Sequence, residues 1–166
     1  NLSNKLMVLI NDNFKEHNIK PQDINKIFVV NGPGSFTGIR CGVTVAKTLA
    51  YLLKIEIAPI SELEAMASGY NEIVCPVIDA RRGYVFGAIY NGINNIKKDE
   101  YISYEELTKD FNGKIVSYDF ENTYEPKVDI LKLIQKHKNE NIDCHMLVPN
   151  YLKKTEAEEN LDAKRN

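Results

Sequence analysis

The sequence predicts an α/β protein in two parts: a partial parallel lobe over residues 1–60, and a mixed, hairpin-led lobe over 61–152, with a charged tail at 153–166. Three observations predict it. The β-branched run Ile27-Phe28-Val29-Val30 is cut by Gly32-Pro33-Gly34 and followed by a long stretch with helical spacing, so strand, tight loop and helix follow one another. A second strand at 55–60 then returns parallel to the first through a right-handed crossover. Beyond it, β-rich runs at 73–80 and 84–91 flank Arg81-Arg82-Gly83, the form of an antiparallel hairpin in which Gly supplies a positive φ.

The elements can be justified in order. Leu2, Leu6, Leu9, Ile10 and Phe14 make one broad apolar face of a first helix, with Met7 beside it. Asn18 to Pro21 breaks it, and Pro21-Gln22-Asp23 can open a single helical turn. In the helix over 38–54, Ile39, Val43, Ala46, Ala50 and Leu53 share one face, while Gly38, Gly42, Val45, Leu49 and Leu52 share the adjoining one. Such a helix wants two apolar neighbours: its own sheet, and a second helix approaching over the Gly38-xxx-Gly42 notch. Ser35 and Thr37 are placed to cap it through their hydroxyls.

In the second part, Ser61 with Glu64 and Ser103 with Glu106 have capping-box form, and Leu63, Met66 and Ala67 supply the inner face of the helix after Ser61. Pro76 cannot donate to a ladder, so its strand is expected to carry a free edge or a bulge. A strand at 114–118, a helix at 128–137 with Ile130, Leu131 and Ile134 inward, and a last strand at 142–148 complete the series. The tail should be solvated.

Composition narrows the function. Net charge is −2, so no global field draws the chain to nucleic acid or an anionic membrane. Cys41, Cys75 and Cys144 are too few and scattered for a disulfide framework or a CxxC site, which points to a reducing cytosol and a cytoplasmic protein. No apolar stretch approaches membrane-spanning length.

Candidate chemistry is sparse. Amides at a helix N-terminus can hold an anion, which makes Gly32, Gly34, Ser35 and Thr37, with Arg81 and Arg82 of the hairpin, the candidate phosphate ligands. The plain alternative is a tight turn with close helix packing and two solvated arginines. The loop is neither a Walker loop nor a GxGxxG fingerprint. His17, His137 and His145 are far apart, with no HxxxH or HExxH, so no metal site is expected. Ser35 does not sit in a GxSxG elbow, so no catalytic residue is assigned. Tyr84, Phe86 and Tyr90 alternate, which reads as one buried sheet face before it reads as a base-stacking platform.

The run Gly-Pro-Gly-Ser-Phe-Thr-Gly-Ile-Arg at 32–40, with Gly42-Val43, Ala46-Lys47 and Leu49-Ala50 after it, resembles the signature of the TsaB family of tRNA threonylcarbamoyladenosine biosynthesis. Residues 76–83 (Pro-Val-Ile-Asp-Ala-Arg-Arg-Gly) and 149–152 (Pro-Asn-Tyr-Leu) resemble that family's second and closing motifs. The resemblance implies the actin/hexokinase/Hsp70 (ASKHA) fold, with a ribonuclease-H-like sheet in each lobe and the first lobe lacking its N-terminal strands. It implies a non-catalytic scaffold that docks on a TsaD-like catalytic paralogue through Leu2, Leu6, Leu9, Ile10, Gly38, Gly42, Val45 and Leu49. A TsaE-like ATPase and a second copy of the chain are further candidate partners, and tRNA would be reached only through the complex. No cofactor of its own is expected, with ATP a candidate at the complex or in a full-length form. The alternative is an ASKHA-type ATPase or small-molecule kinase that clamps phosphates between the 32–38 loop and the 79–83 hairpin.

Overall fold

In a computed structural model that describes residues 2–153, the chain forms two sheets with helices packed on and between them. The first is the predicted parallel pair: β1 (Lys26–Val30) lies beside β2 (Glu56–Ile60), in register from Lys26 with Glu56 to Val30 with Ile60. The crossover between them is α2 (Phe36–Leu53), which starts where the Ser35 hydroxyl accepts the Gly38 N–H and stops where Lys54 turns left-handed at φ 56°. Its Val43, Ala46 and Ala50 bury against Val29, Ile57 and Leu147, so the helix is held by one apolar stripe on its own sheet.

The other stripe of α2 meets α1 (Leu2–Glu16), in which none of 15 residues is buried. Leu6, Ile10 and Phe14 are half-buried and, with Gly42, Val45, Leu49 and β1, line an apolar groove of about 600 Å³. All five residues of β1 line this groove, although alternate residues of a strand face opposite ways. The groove therefore opens onto the strand's outer edge, and among the described residues no strand pairs there. A Cβ on Gly42 would meet nothing within 4 Å, so no neighbouring backbone approaches over the expected glycine notch.

The second sheet has the order β5-β4-β3-β6, built from β3 (Ile73–Asp79), β4 (Tyr84–Asn91), β5 (Asn94–Ser103) and β6 (Lys114–Val116). The predicted hairpin is the antiparallel β3–β4 pair. Pro76 is not at a free edge: β3 is interior and buried, Pro76 pairs with Val116 of β6, and the β3–β4 register lacks partners at Cys75 and Pro76. The missing donor is thus accommodated by a gap in one ladder. α3 (Glu62–Ala67) packs Leu63 and Met66 on this sheet, and α4 (Tyr104–Thr108) adds Leu107. Both are capped as expected, by Ser61 and Ser103, but Glu64 does not reach back to its cap. Its carboxylate meets Lys136 Nζ at 2.7 Å and His137 Nε2 at 3.0 Å on α5 (Ile130–His137).

Three expectations are corrected. On α5 the inward residues are Leu133 and His137, whereas Ile130 and Leu131 are 64% and 78% exposed and Ile134 is 38% exposed. The face turned toward α3 is the one on which His137 Nε2 meets the Glu64 carboxylate at 3.0 Å. Residues 142–148 form no strand, because the Met146 and Leu147 N–H groups both bond to the Asp143 carbonyl and fold the segment into a turn. β5 was not anticipated: it is ten residues of mostly polar sequence at a sheet edge. The charged tail lies, from residue 154 onward, outside the described residues.

Residues 141–150 return to the first sheet. Ile142 N–H bonds to Ile57 O (3.0 Å), Leu147 is buried beside α2, and Asn150 N–H bonds to Asn31 O (2.7 Å). No helix of the described residues is long and apolar enough to cross a membrane.

Candidate functional site in the cleft between the sheets

The glycine loop forms one wall of a cleft of about 870 Å³. Gly32 and Gly34 take φ values of 117° and 151°, which side chains rarely adopt, on either side of a cis Gly32–Pro33 bond. The loop is pinned from behind: Glu62 N–H bonds to Gly32 O (2.9 Å), and Asn31 exchanges bonds with Val148 O and Asn150 N–H. A Cβ on Gly32 would sit 2.9 Å from the Asn150 carbonyl oxygen. Close approach, and not exposure to a ligand, is what this glycine provides. Ser35 spends its hydroxyl on the helix cap, and Thr37 lies in the first turn of α2.

The opposite wall is the hairpin. Arg81, Arg82 and Gly83 all have positive φ (69°, 57° and 76°), where only Gly83 was expected to. Asp79 holds the turn by accepting the Arg81 N–H at 2.8 Å, and Asp119 in turn accepts the Asp79 N–H at 2.9 Å. Asp119 was missed by reading the sequence, since it lies just past the strand expected at 114–118, in a stretch with no motif. The sign of it was the polar run Ser117-Tyr118-Asp119 after two apolar residues: Ser117 bonds to Val77 O at 2.8 Å and accepts the Asp119 N–H at 3.0 Å.

Of the candidate phosphate ligands, Gly34, Ser35, Thr37 and Arg81 line the cleft together with Asp79 and Asp119. Gly32 is buried behind the loop, and Arg82 is exposed away from the lining. A smaller recess of about 330 Å³ adjoins it and adds Glu62, whose carboxyl is raised above its ordinary value by burial. The two spaces thus hold three carboxyl groups and one guanidinium, a poor match for a bare phosphate. None of the three histidines lines either space. Ser35 therefore has no imidazole base in the lining.

Aromatic rings edge the cleft on both sides. Phe36 stacks on Tyr151 at 5.1 Å with Arg40 over its ring, and Tyr101 stacks on Tyr84 at 4.9 Å. Lys153 Nζ lies 5.1 Å from the Tyr101 ring centre. Residues 148–153 therefore run from the first sheet to the second across one side of the cleft. Tyr90, by contrast, is buried, with its hydroxyl donated to Asp99 at 2.8 Å.

The family model described as TsaD, tRNA N6-adenosine threonylcarbamoyltransferase, matches residues 1–129. The tRNA threonylcarbamoyladenosine biosynthesis protein TsaB of Bacillus subtilis is 31% identical over 189 aligned positions, which cover 95% of this chain and 82% of that protein. The chain belongs to the TsaB family. The Escherichia coli TsaB is also 31% identical, over 112 positions covering 62% of this chain and 48% of its own. Among solved structures, YeaZ from Pseudomonas aeruginosa superposes with a TM-score of 0.76 at 20% identity, covering 90% of this chain and 84% of that one. A P. aeruginosa protein described as similar to peptidase YeaZ gives 0.77 at 19% identity, with 90% and 83% coverage. At such identities the likeness speaks to the fold, which is the mixed α/β fold shared by YeaZ and TsaB structures.

On this TsaB-family chain the eight candidate partner-binding residues fall into groups. Leu6, Ile10, Gly42, Val45 and Leu49 meet across the groove between α1, α2 and β1. Leu2 and Leu9 point outward, 50% and 60% exposed, alongside Val8, while Met7 lines the groove. Gly38 stands apart at the start of α2, against the Ser35 side chain.

Proposed function

We propose that this TsaB-family chain serves tRNA threonylcarbamoyladenosine biosynthesis as a non-catalytic partner of a TsaD-like transferase. It docks through α1 and the adjoining stripe of α2. The observation that carries this reading is α1 itself, a 15-residue helix with no buried residue and with Leu2, Val8 and Leu9 turned to solvent. A helix that shows apolar residues on its inner and outer sides belongs in a larger assembly, because contiguous exposed apolar surface marks an interaction face. The B. subtilis relative's name places that protein in the pathway, and the TsaD family match supports a sibling as the partner.

The cleft supports the non-catalytic half of the reading. Its Asp79 and Asp119 carboxylates each accept a backbone N–H, and its serine caps a helix. The chain accordingly carries no reactive centre and no nucleotide of its own, and tRNA contact falls to the complex.

The test is capture of this chain by an immobilised TsaD-like protein, with Leu9→Asp as the probe. Leu9 is exposed, so the change leaves the monomer intact, and affinity should drop by at least about tenfold. Leu6 is a poorer probe because it also lines the internal groove. Unchanged capture by the Leu9→Asp chain would remove α1 from the interface.

A further inference from the structure

We propose that Asp143, Cys144 and His145 form a binding site for a zinc-type divalent cation, which would lock the turn at 143–147. One ligand atom from each side chain lies within 4.8 Å of the others. A tetrahedral zinc ion takes sulfur at about 2.3 Å and nitrogen or oxygen at about 2.0–2.2 Å, so the ligand atoms must draw closer together, and the two exposed members are the ones free to move. The donor set suits such an ion: one thiolate, one imidazole and one carboxylate carry two negative charges against two positive ones.

The backbone under these residues is already in place. Asp143 accepts three N–H groups, from His145 on its carboxylate (2.8 Å) and from Met146 and Leu147 on its carbonyl (2.9 and 3.2 Å). Lys47 on α2 donates to the carbonyls of His145 (3.2 Å) and Leu147 (2.8 Å). Leu147 is buried in the first core, and Cys144 packs against the same cluster. The three side chains are largely uncommitted. The second Asp143 oxygen has no partner among the described residues, Cys144 makes only packing contacts, and the His145 ring meets the edge of Tyr51 without a hydrogen bond. The other cysteines and histidines are placed otherwise. Cys75 is fully buried, Cys41 bonds to Ser3, and His137 is held by Glu64. A search for HxxxH or CxxC spacing passes over the trio because its members are consecutive.

Loading the site is an acid–base step: the thiol of Cys144 gives up its proton to buffer as the sulfur–metal bond forms, so affinity rises with pH. The test is titration of the tag-free, chelator-treated chain with Co²⁺, followed by competition with Zn²⁺. The expected result is a 1:1 sulfur-to-cobalt charge-transfer band, displaced by Zn²⁺, absent in Cys144→Ser and weakened at least about tenfold in His145→Ala. Zn²⁺ should also raise the melting temperature of the parent chain and leave that of Cys144→Ser unmoved. A band that survives Cys144→Ser, or no band with cobalt in modest excess over a folded chain, would overturn the proposal.

Discussion

Cys75 shows how much a single position owes to its surroundings. On paper it is one of three equivalent thiols, yet in the fold it is fully buried on the interior strand β3, and burial pushes its thiol up to about 12. In mildly alkaline buffer the native chain should therefore be alkylated at Cys144 and Cys41 and not at Cys75, as read by peptide mass spectrometry. Glu62 makes a prediction of opposite kind. Its folded carboxyl holds its proton more tightly than the ordinary value of 4.5, so folding is favoured when it is protonated and weakened as pH rises through the folded value. Glu62→Gln should raise the melting temperature at neutral pH, and the gain should fade as pH falls through the raised folded value and be gone below 4.5. At Gly32 both φ and contact forbid a side chain: Gly32→Ala should cost about 1–3 kcal/mol in chemical denaturation. The need for a glycine here was legible in the sequence. Its cause, the carbonyl of Asn150 arriving from 118 residues away, was not, because no local pattern reports a long-range approach.

Helices and strands were legible wherever the apolar pattern was strong and local. The β1–loop–α2–β2 unit and the β3–β4 hairpin stand within two residues of where they were expected, since periodicity, glycine and capping residues all agree there. The failures have specific causes. β5 carries Lys97, Lys98, Asp99 and Glu100, a composition that reads as loop but suits an edge strand that must not pair with other chains. The 142–148 stretch alternates like a strand, and the turn held by Asp143 overrides it. α5 keeps the predicted helix and loses the predicted face, because the pair of Glu64 with His137 outweighs three aliphatic side chains. Equilibrium unfolding can verify that face. Leu133→Ala should cost about 2–4 kcal/mol, while Leu131→Ala should stay within about 0.5 kcal/mol.

At the scale of the whole molecule, two sheets flank a cleft in which Asp79, Asp119 and Ser35 brace the walls, while Leu2, Val8 and Leu9 of α1 are left outward. The sequence patterns pointed to the second feature, through the double apolar faces of the first two helices. They could not tell which of those faces the monomer covers, since that depends on where β1 ends up relative to α1. The account's central claim is that the outward face of α1 is where a TsaD-like partner sits. Hydrogen exchange of the chain alone and with that partner tests it most directly. Slowed exchange over residues 2–16 and 36–53 is the predicted result; slowing confined to 32–35 and 79–83, with residues 2–16 unchanged in the complex, would contradict it.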